Sequence, residues 1–147
     1  MLEGVCDDAR ALAEPQGIKV EATIADHLPV KGDRKSLALI AQNLVENAVK
    51  YNREGGSLLI TAQLNNGSAE VTVRNNGMPI PPERVDHIFE RFYRARTDAR
   101  ISGSGLGLSI ASELTKAHNG QLDLVRSDHE WTEFRLRIPA DVQTLKR

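Results

Sequence analysis

Apolar and polar positions recur with clear periods along most of the chain, and those periods predict its elements in order. Val5, Ala9, Leu12 and Ala13 fall at helical spacing before Pro15, so the chain opens on a helix that Pro15-Gln16-Gly17 ends. Ile18 to Ile24 alternates apolar and polar residues, the period-two pattern of a half-buried strand. Asp33 is a candidate N-cap for a helix that carries Leu37, Ile40, Ala41, Leu44 and Ala48 on one stripe and ends near Tyr51 and Asn52. Arg53-Glu54-Gly55-Gly56 turns the chain into a strand from Ser57 to Leu64. Asn65-Asn66-Gly67-Ser68 is a hairpin signal, and Ala69 to Arg74 returns as a second strand.

Asn75 to Pro82 is too rich in turn residues for regular structure. A short helix from Glu83 to Phe92 and a charged irregular stretch from Tyr93 to Ile101 follow. The glycine-rich run from Ser102 to Leu108 opens into a helix with Ile110, Leu114 and Ala117 at apolar spacing, ended by Asn119-Gly120. Strands from Gln121 to Arg126 and from Thr132 to Ile138 close the chain. This order predicts an α/β (α+β) two-layer sandwich, with helices on one face of a mostly antiparallel sheet.

Composition narrows the function classes. The chain has 147 residues, 40% hydrophobic and 27% charged, which suits one compact unit with a full core. Nineteen Lys and Arg balance twenty Asp and Glu, so no basic field draws the chain to nucleic acid or to a membrane surface. One cysteine, Cys6, excludes an internal disulfide and a cysteine metal cluster, in keeping with a reducing cytoplasm. The helix at the start predicts that the natural protein continues upstream, with residues 1–14 as the end of a linker or dimerisation helix and 15–147 as the domain.

Two stretches carry candidate chemistry. Glycines at alternate positions before a helix allow a phosphate to approach the unsatisfied N–H groups and the positive pole of the helix end. On the first long helix, Asn43, Glu46, Asn47 and Lys50 recur at i, i+3, i+4 and i+7 and share one face. Carboxamide oxygens suit a hard cation such as Mg²⁺, and Lys50 offers a point charge to phosphates. The same spacing is also that of a plain solvated helix face.

The sequence Leu39 to Tyr51, LIAQNLVENAVKY, closely resembles the N box of sensor histidine kinases. Three further motifs follow in the family's order: Asn75 to Pro81 (NNGMPIP) resembles the first glycine box, Ile88 to Arg94 (IFERFYR) the F box, and Gly103 to Leu108 (GSGLGL) the second glycine box. The resemblance covers roughly Pro15 to Pro139 and implies the catalytic ATP-binding domain of that family, the Bergerat-type sandwich of gyrase, Hsp90 and MutL ATPases. It implies ATP and Mg²⁺ as cofactors, with Asn47 holding the metal and Asn43 assisting. Lys50 and Arg94 would face the phosphates as catalytic residues. Tyr51, Asn75, Gly77 and Ile80 would line the nucleotide site, Asn75 standing where the family's aspartate accepts from the adenine amino group. Tyr93 to Ile101 would form a lid, with Gly103, Gly105 and Gly107 as its hinge and phosphate cradle and Leu106 and Leu108 also at the nucleotide.

The resemblance further implies transfer of the γ-phosphate to a histidine on a dimerisation and histidine-containing domain of the same protein, and from there to a response regulator receiver domain. It implies a cytoplasmic domain of a protein anchored in the inner membrane, touching neither membrane nor nucleic acid itself. Asn43 stands where the related ATPases carry a glutamate that activates water, and a carboxamide takes no proton at neutral pH. Steady hydrolysis, the mark of a stand-alone ATPase, is therefore not expected. His27, His87, His118 and His129 read as surface or structural residues rather than as the acceptor.

Two positions depart from the family pattern. Asn75 in place of aspartate exchanges a charge-assisted acceptor for a neutral one, a loss of about 1 kcal/mol or a tenfold weaker site. Pro79 replaces a second glycine and fixes φ. Together they leave an alternative open, a degenerate kinase domain acting as an interaction module.

Overall fold

The computed structural model describes residues 1–90 and 107–141. Three helices, α1 (Leu2–Ala13), α2 (Arg34–Lys50) and α3 (Gly107–Ala117), lie against one five-stranded sheet. The strands are β1 (Lys19–Ile24), β2 (Ser57–Asn65), β3 (Ser68–Asn75), β4 (Gln121–Ser127) and β5 (Thr132–Pro139), in the spatial order β1-β2-β3-β5-β4. Only β1 and β2 run parallel; every other neighbour is antiparallel. The architecture is the expected two-layer, mostly antiparallel sandwich.

Alternation along the strands builds its apolar face. Leu58, Asn75 and Thr132 stand side by side across β2, β3 and β5, followed by Ile60, Val73 and Phe134, then Ala62, Val71 and Leu136; all nine are buried. The opposite face is polar, with a Thr61–Thr72 hydroxyl pair and ion pairs from Arg74 to Glu133 and Arg137 to Glu70. In the hairpin turn, Asn66 and Gly67 have φ of 51° and 81°, the two positive values that a two-residue turn of matching twist demands.

The central helix α2 buries a wider arc than its stripe predicts. Val45 and Val49 join Leu37, Ile40, Ala41, Leu44 and Ala48, because α1 and α3 cover its flanks while the sheet covers its base. The docked face of α1 carries Val5, Cys6, Ala9 and Ala13, and Leu12 points outward. Burial pushes the Cys6 thiol pKa up, which keeps it an inert core residue.

Two expectations are corrected. The region expected as a helix over 83–92 is a 3-10 turn at Pro82–His87, where Pro81 and Pro82 set the entry and the chain then dips so that Ile88 is buried. In α3 the buried side is Ser109, Ala111 and Thr115, while Ile110 and Ala117 are exposed and Leu114 is half-buried. Small residues let α3 lie close on α2, and the Thr115 hydroxyl is satisfied by donating to the Ala111 carbonyl at 2.6 Å. The helix ends as expected at Asn119, whose φ is 58°.

Asp33 caps α2 as its position predicts, its carboxylate accepting from the Ser36 hydroxyl at 2.8 Å and the Ser36 N–H at 3.1 Å. Those bonds, the hydroxyl's foremost, hold its pKa below the ordinary value of 3.8. A carboxyl with a lowered folded-state pKa stabilises the fold above the ordinary value, and that contribution is lost as pH falls through the lowered one. Asp33→Ala is expected to lower the urea midpoint at pH 7, and the gap to wild type to narrow in acid melts below pH 3.8. A gap unchanged across that range would remove the charge from the cap's action.

Candidate nucleotide site

The second half of α2 brings the predicted polar face to the edge of the core. Asn43 and Asn47 are half-buried, and Lys50 is exposed in the last turn. Glu46 is tied along the helix by Gln42, whose Nε2 donates to it at 3.1 Å, as befits a helix-surface charge. The Asn43 amide lies beside the start of α3: a Cβ on Gly107 would sit 3.6 Å from Asn43 Oδ1. Asn43 Nδ2 is buried with no hydrogen-bond partner among the described residues. A buried N–H donor without an acceptor is costly, and at the start of α3 it is the carboxamide oxygen of Asn43, not the nitrogen, that lies nearest to Gly107.

The loop after β3 closes the other side. Asn75 is 3% exposed, and its Oδ1 accepts from the Gly77 N–H at 3.0 Å. Gly77 is pressed against the end of α2, where a Cβ would lie 2.1 Å from the Tyr51 carbonyl oxygen and 2.7 Å from Asn52 Cα. The close approach that this glycine permits within the chain is thus to the helix end. Asn52 Nδ2 donates to the Ser57 carbonyl at 2.9 Å and the Ser57 N–H donates to Asn76 Oδ1 at 2.6 Å, which binds the end of α2, the start of β2 and the loop into one unit. Farther along, the Ile80 N–H donates to Ser127 Oγ at 2.8 Å, and Ser127 shares a 2.8 Å hydrogen bond with Thr132. Ile80 is half-buried against the core, and Met78 is exposed.

Thr132 carries no signal in the sequence alone. It is 4% exposed and pairs in register with Asn75, so two buried polar side chains stand next to each other at one end of the sheet. Only strand pairing reveals this, since the two are far apart along the chain. The part that Asn52 and Asn76 play in joining these segments is not visible in the sequence for the same reason; their turn-forming residue type is the one available signal.

Of the F box, Ile88 is buried and the Phe89 ring meets Phe134 edge-on at 6.1 Å, so its start anchors the core. Leu108 packs partly buried against the same core. Arg94, Gly103, Gly105 and Leu106, together with Phe92 and the lid expected over 93–101, lie outside the described residues. His118 bridges two helices: its Nε2 accepts from the Asp33 N–H at 3.2 Å, which leaves Nδ1 to donate to the Leu114 carbonyl at 2.8 Å. His87 pairs with Glu90, and His27 and His129 are exposed. Among the described residues no group of three His, Cys, Asp or Glu side chains is placed to hold a metal, and no helix is long and apolar enough to cross a membrane.

Comparison with known proteins shows the family and the fold. The family model described as histidine kinase-, DNA gyrase B-, and HSP90-like ATPase matches residues 32–142. Sensor histidine kinase CusS of Escherichia coli O6:H1 is 36% identical over 138 residues, which cover 92% of this chain and 28% of that protein. The chain therefore spans less than a third of that relative's length. A solved structure of the mycobacterial sensor histidine kinase MprB aligns with TM-score 0.76 and 28% identity, covering 94% of this chain and 95% of that one. The full-length structure of ShkA in complex with AMPPNP aligns with TM-score 0.80 and 31% identity over 94% of this chain and 29% of that one.

Proposed function

Because the chain belongs to the histidine kinase-, DNA gyrase B- and HSP90-like ATPase family, we propose that it holds Mg-ATP between α2, the loop after β3 and the start of α3, and presents the γ-phosphate to a histidine. The observation that carries this reading is the half-buried Asn43 carboxamide at the start of α3, with Oδ1 nearest to Gly107 and Nδ2 buried without a hydrogen-bond partner among the described residues. A carboxamide there offers an acceptor to a metal and a donor to a phosphate oxygen, near a helix end whose dipole favours negative charge. Asn47, one turn on, offers its carboxamide oxygen to Mg²⁺, and Lys50 adds a cation at the rim. Bound Mg²⁺ would neutralise phosphate charge. By the family resemblance, Arg94, Gly103 and Gly105 would serve the phosphates, and Tyr51, Asn75, Gly77 and Ile80 the base.

Asn43, a neutral amide where the related ATPases carry a glutamate, takes no proton from water, and Glu46 is tied along the helix by Gln42, so the residues position ATP rather than hydrolyse it. The acceptor histidine belongs to a separate helical dimerisation and phosphotransfer domain of the same protein. His118 already uses both ring nitrogens. A response regulator receiver domain then takes the phosphoryl group, and the domain works on the cytoplasmic side of a membrane-anchored parent.

Calorimetric titration with a non-hydrolysable ATP analogue up to millimolar concentration tests the reading. Magnesium-dependent binding is expected, with Asn47→Ala losing the magnesium dependence and weakening affinity about tenfold or more. Binding indifferent to both magnesium and Asn47→Ala would overturn the metal assignment.

A further inference from the structure

Helices α2 and α3 lie side by side and run in opposite directions, touching at both ends. Gly107 opens α3 beside Asn43, and His118, just past the last turn of α3, reaches Asp33 at the head of α2. The ten residues from Asp33 to Asn43 span about 15 Å of helix and match the length of α3, so each end has a partner on the other helix. Between the ends, the buried residues of α3 are Ser109, Ala111 and Thr115. Ala111 has no polar side chain, and the Thr115 hydroxyl donates within α3, to the Ala111 carbonyl at 2.6 Å. Small side chains make shallow ridges, which set the position of one helix along the other only weakly.

His118 sets that position by directed bonds. In a capping box the N-cap N–H is taken by the side chain three residues on; here that residue is Ser36, whose hydroxyl donates to the Asp33 carboxylate instead. The Asp33 N–H donates across to His118 Nε2 at 3.2 Å, and Nδ1 donates to the Leu114 carbonyl at 2.8 Å, in the last turn of α3. One neutral ring with its proton on Nδ1 satisfies both, whereas neither the imidazolium nor the other tautomer accepts at Nε2. Gly32 lets the ring in close: a Cβ there would lie 2.5 Å from His118 Cδ2 and 3.0 Å from Nε2.

Resting on the nucleotide-site reading above, we propose that neutral His118 is a positioning residue for that site. It caps α2 from α3, and so fixes where the N-terminal N–H groups of α3 stand relative to Asn43 and Asn47, at the far end of the helix pair.

The test joins ring-nitrogen NMR of the 147-residue chain to titration with a non-hydrolysable ATP analogue in magnesium. Wild type, His118→Leu, His118→Gln and Ser36→Ala are compared, each at a temperature where it is folded. At neutral pH the wild-type spectrum is expected to show the His118 proton on Nδ1; a proton on Nε2 would overturn the proposal without any substitution. Leucine keeps much of the ring's bulk and removes both bonds. His118→Leu is therefore expected to bind the analogue about tenfold more weakly and to shift the amide signals of Leu108 and Ser109, at the other end of α3. Glutamine offers both an acceptor and a donor, so His118→Gln is expected to recover part of that loss. Ser36→Ala weakens the same helix cap but leaves both His118 bonds, and is expected to lose stability without losing affinity. Wild-type affinity in folded His118→Leu, or an equal loss in Ser36→Ala, would overturn the positioning role and leave the nucleotide site standing. Absence of binding by the wild type would overturn the nucleotide-site reading, and the proposal with it.

Discussion

Gly77→Ala is expected to destabilise the fold by about 3 kcal/mol and to abolish nucleotide binding, the upper end of what overpacking a tight contact costs. The added methyl would lie 2.1 Å from the Tyr51 carbonyl oxygen, 2.7 Å from Asn52 Cα and 3.0 Å from the Tyr51 carbonyl carbon. All three are backbone atoms at the end of α2, so no side-chain rotation relieves the clash. Relief requires the loop over 76–81 to lift from the helix, and that movement draws the Gly77 N–H from Asn75 Oδ1 and Asn76 Oδ1 from the Ser57 N–H. Stability and site are coupled at this residue. Urea melts beside titration with a nucleotide would show both losses; unchanged stability would mean that the loop does not rest on the helix end.

Phe134→Ala is expected to cost about 3–5 kcal/mol, a large share of the roughly 5–15 kcal/mol that holds a domain folded. Its ring is 1% exposed, pairs in register with Val73 on β3 and Leu124 on β4, and receives the Phe89 ring edge-on. Truncation leaves a cavity where sheet, helix layer and the segment after the 3-10 turn meet, too rigid to collapse. The urea midpoint should fall with the slope preserved, and Phe134→Leu, which keeps most of the volume, should fall less. Equal midpoints for Phe134→Ala and wild type would place the centre of the core elsewhere.

How far the sequence could be read depended on whether each signal was local. The Asp33 cap, the Asn66-Gly67 turn and the Leu37 to Ala48 stripe are each set within a few residues, by side chain–backbone bonding, backbone sterics and the helical period, and each stands in the structure. The α3 stripe failed because apolarity alone did not choose its inner face. Close packing on α2 favours Ala111, Ser109 and Thr115 over the bulkier Ile110. The segment after Pro82 runs as a short 3-10 turn at Pro82–His87 and not as a longer helix, because the chain then turns to bury Ile88 in the core.

The order of elements, the mixed sandwich and the four motifs that place the chain in its family were legible in the linear chain, because periodicity and motif residues are properties of short windows. Which groups meet was settled only by folding. It set Thr132 beside Asn75, Gly77 on the Tyr51 carbonyl, the Asn43 amide at the head of α3, and His118 between two helices. Those encounters are fixed by strand register and by the approach of backbones far apart in the chain. No local pattern encodes either, since each is the outcome of packing the whole core.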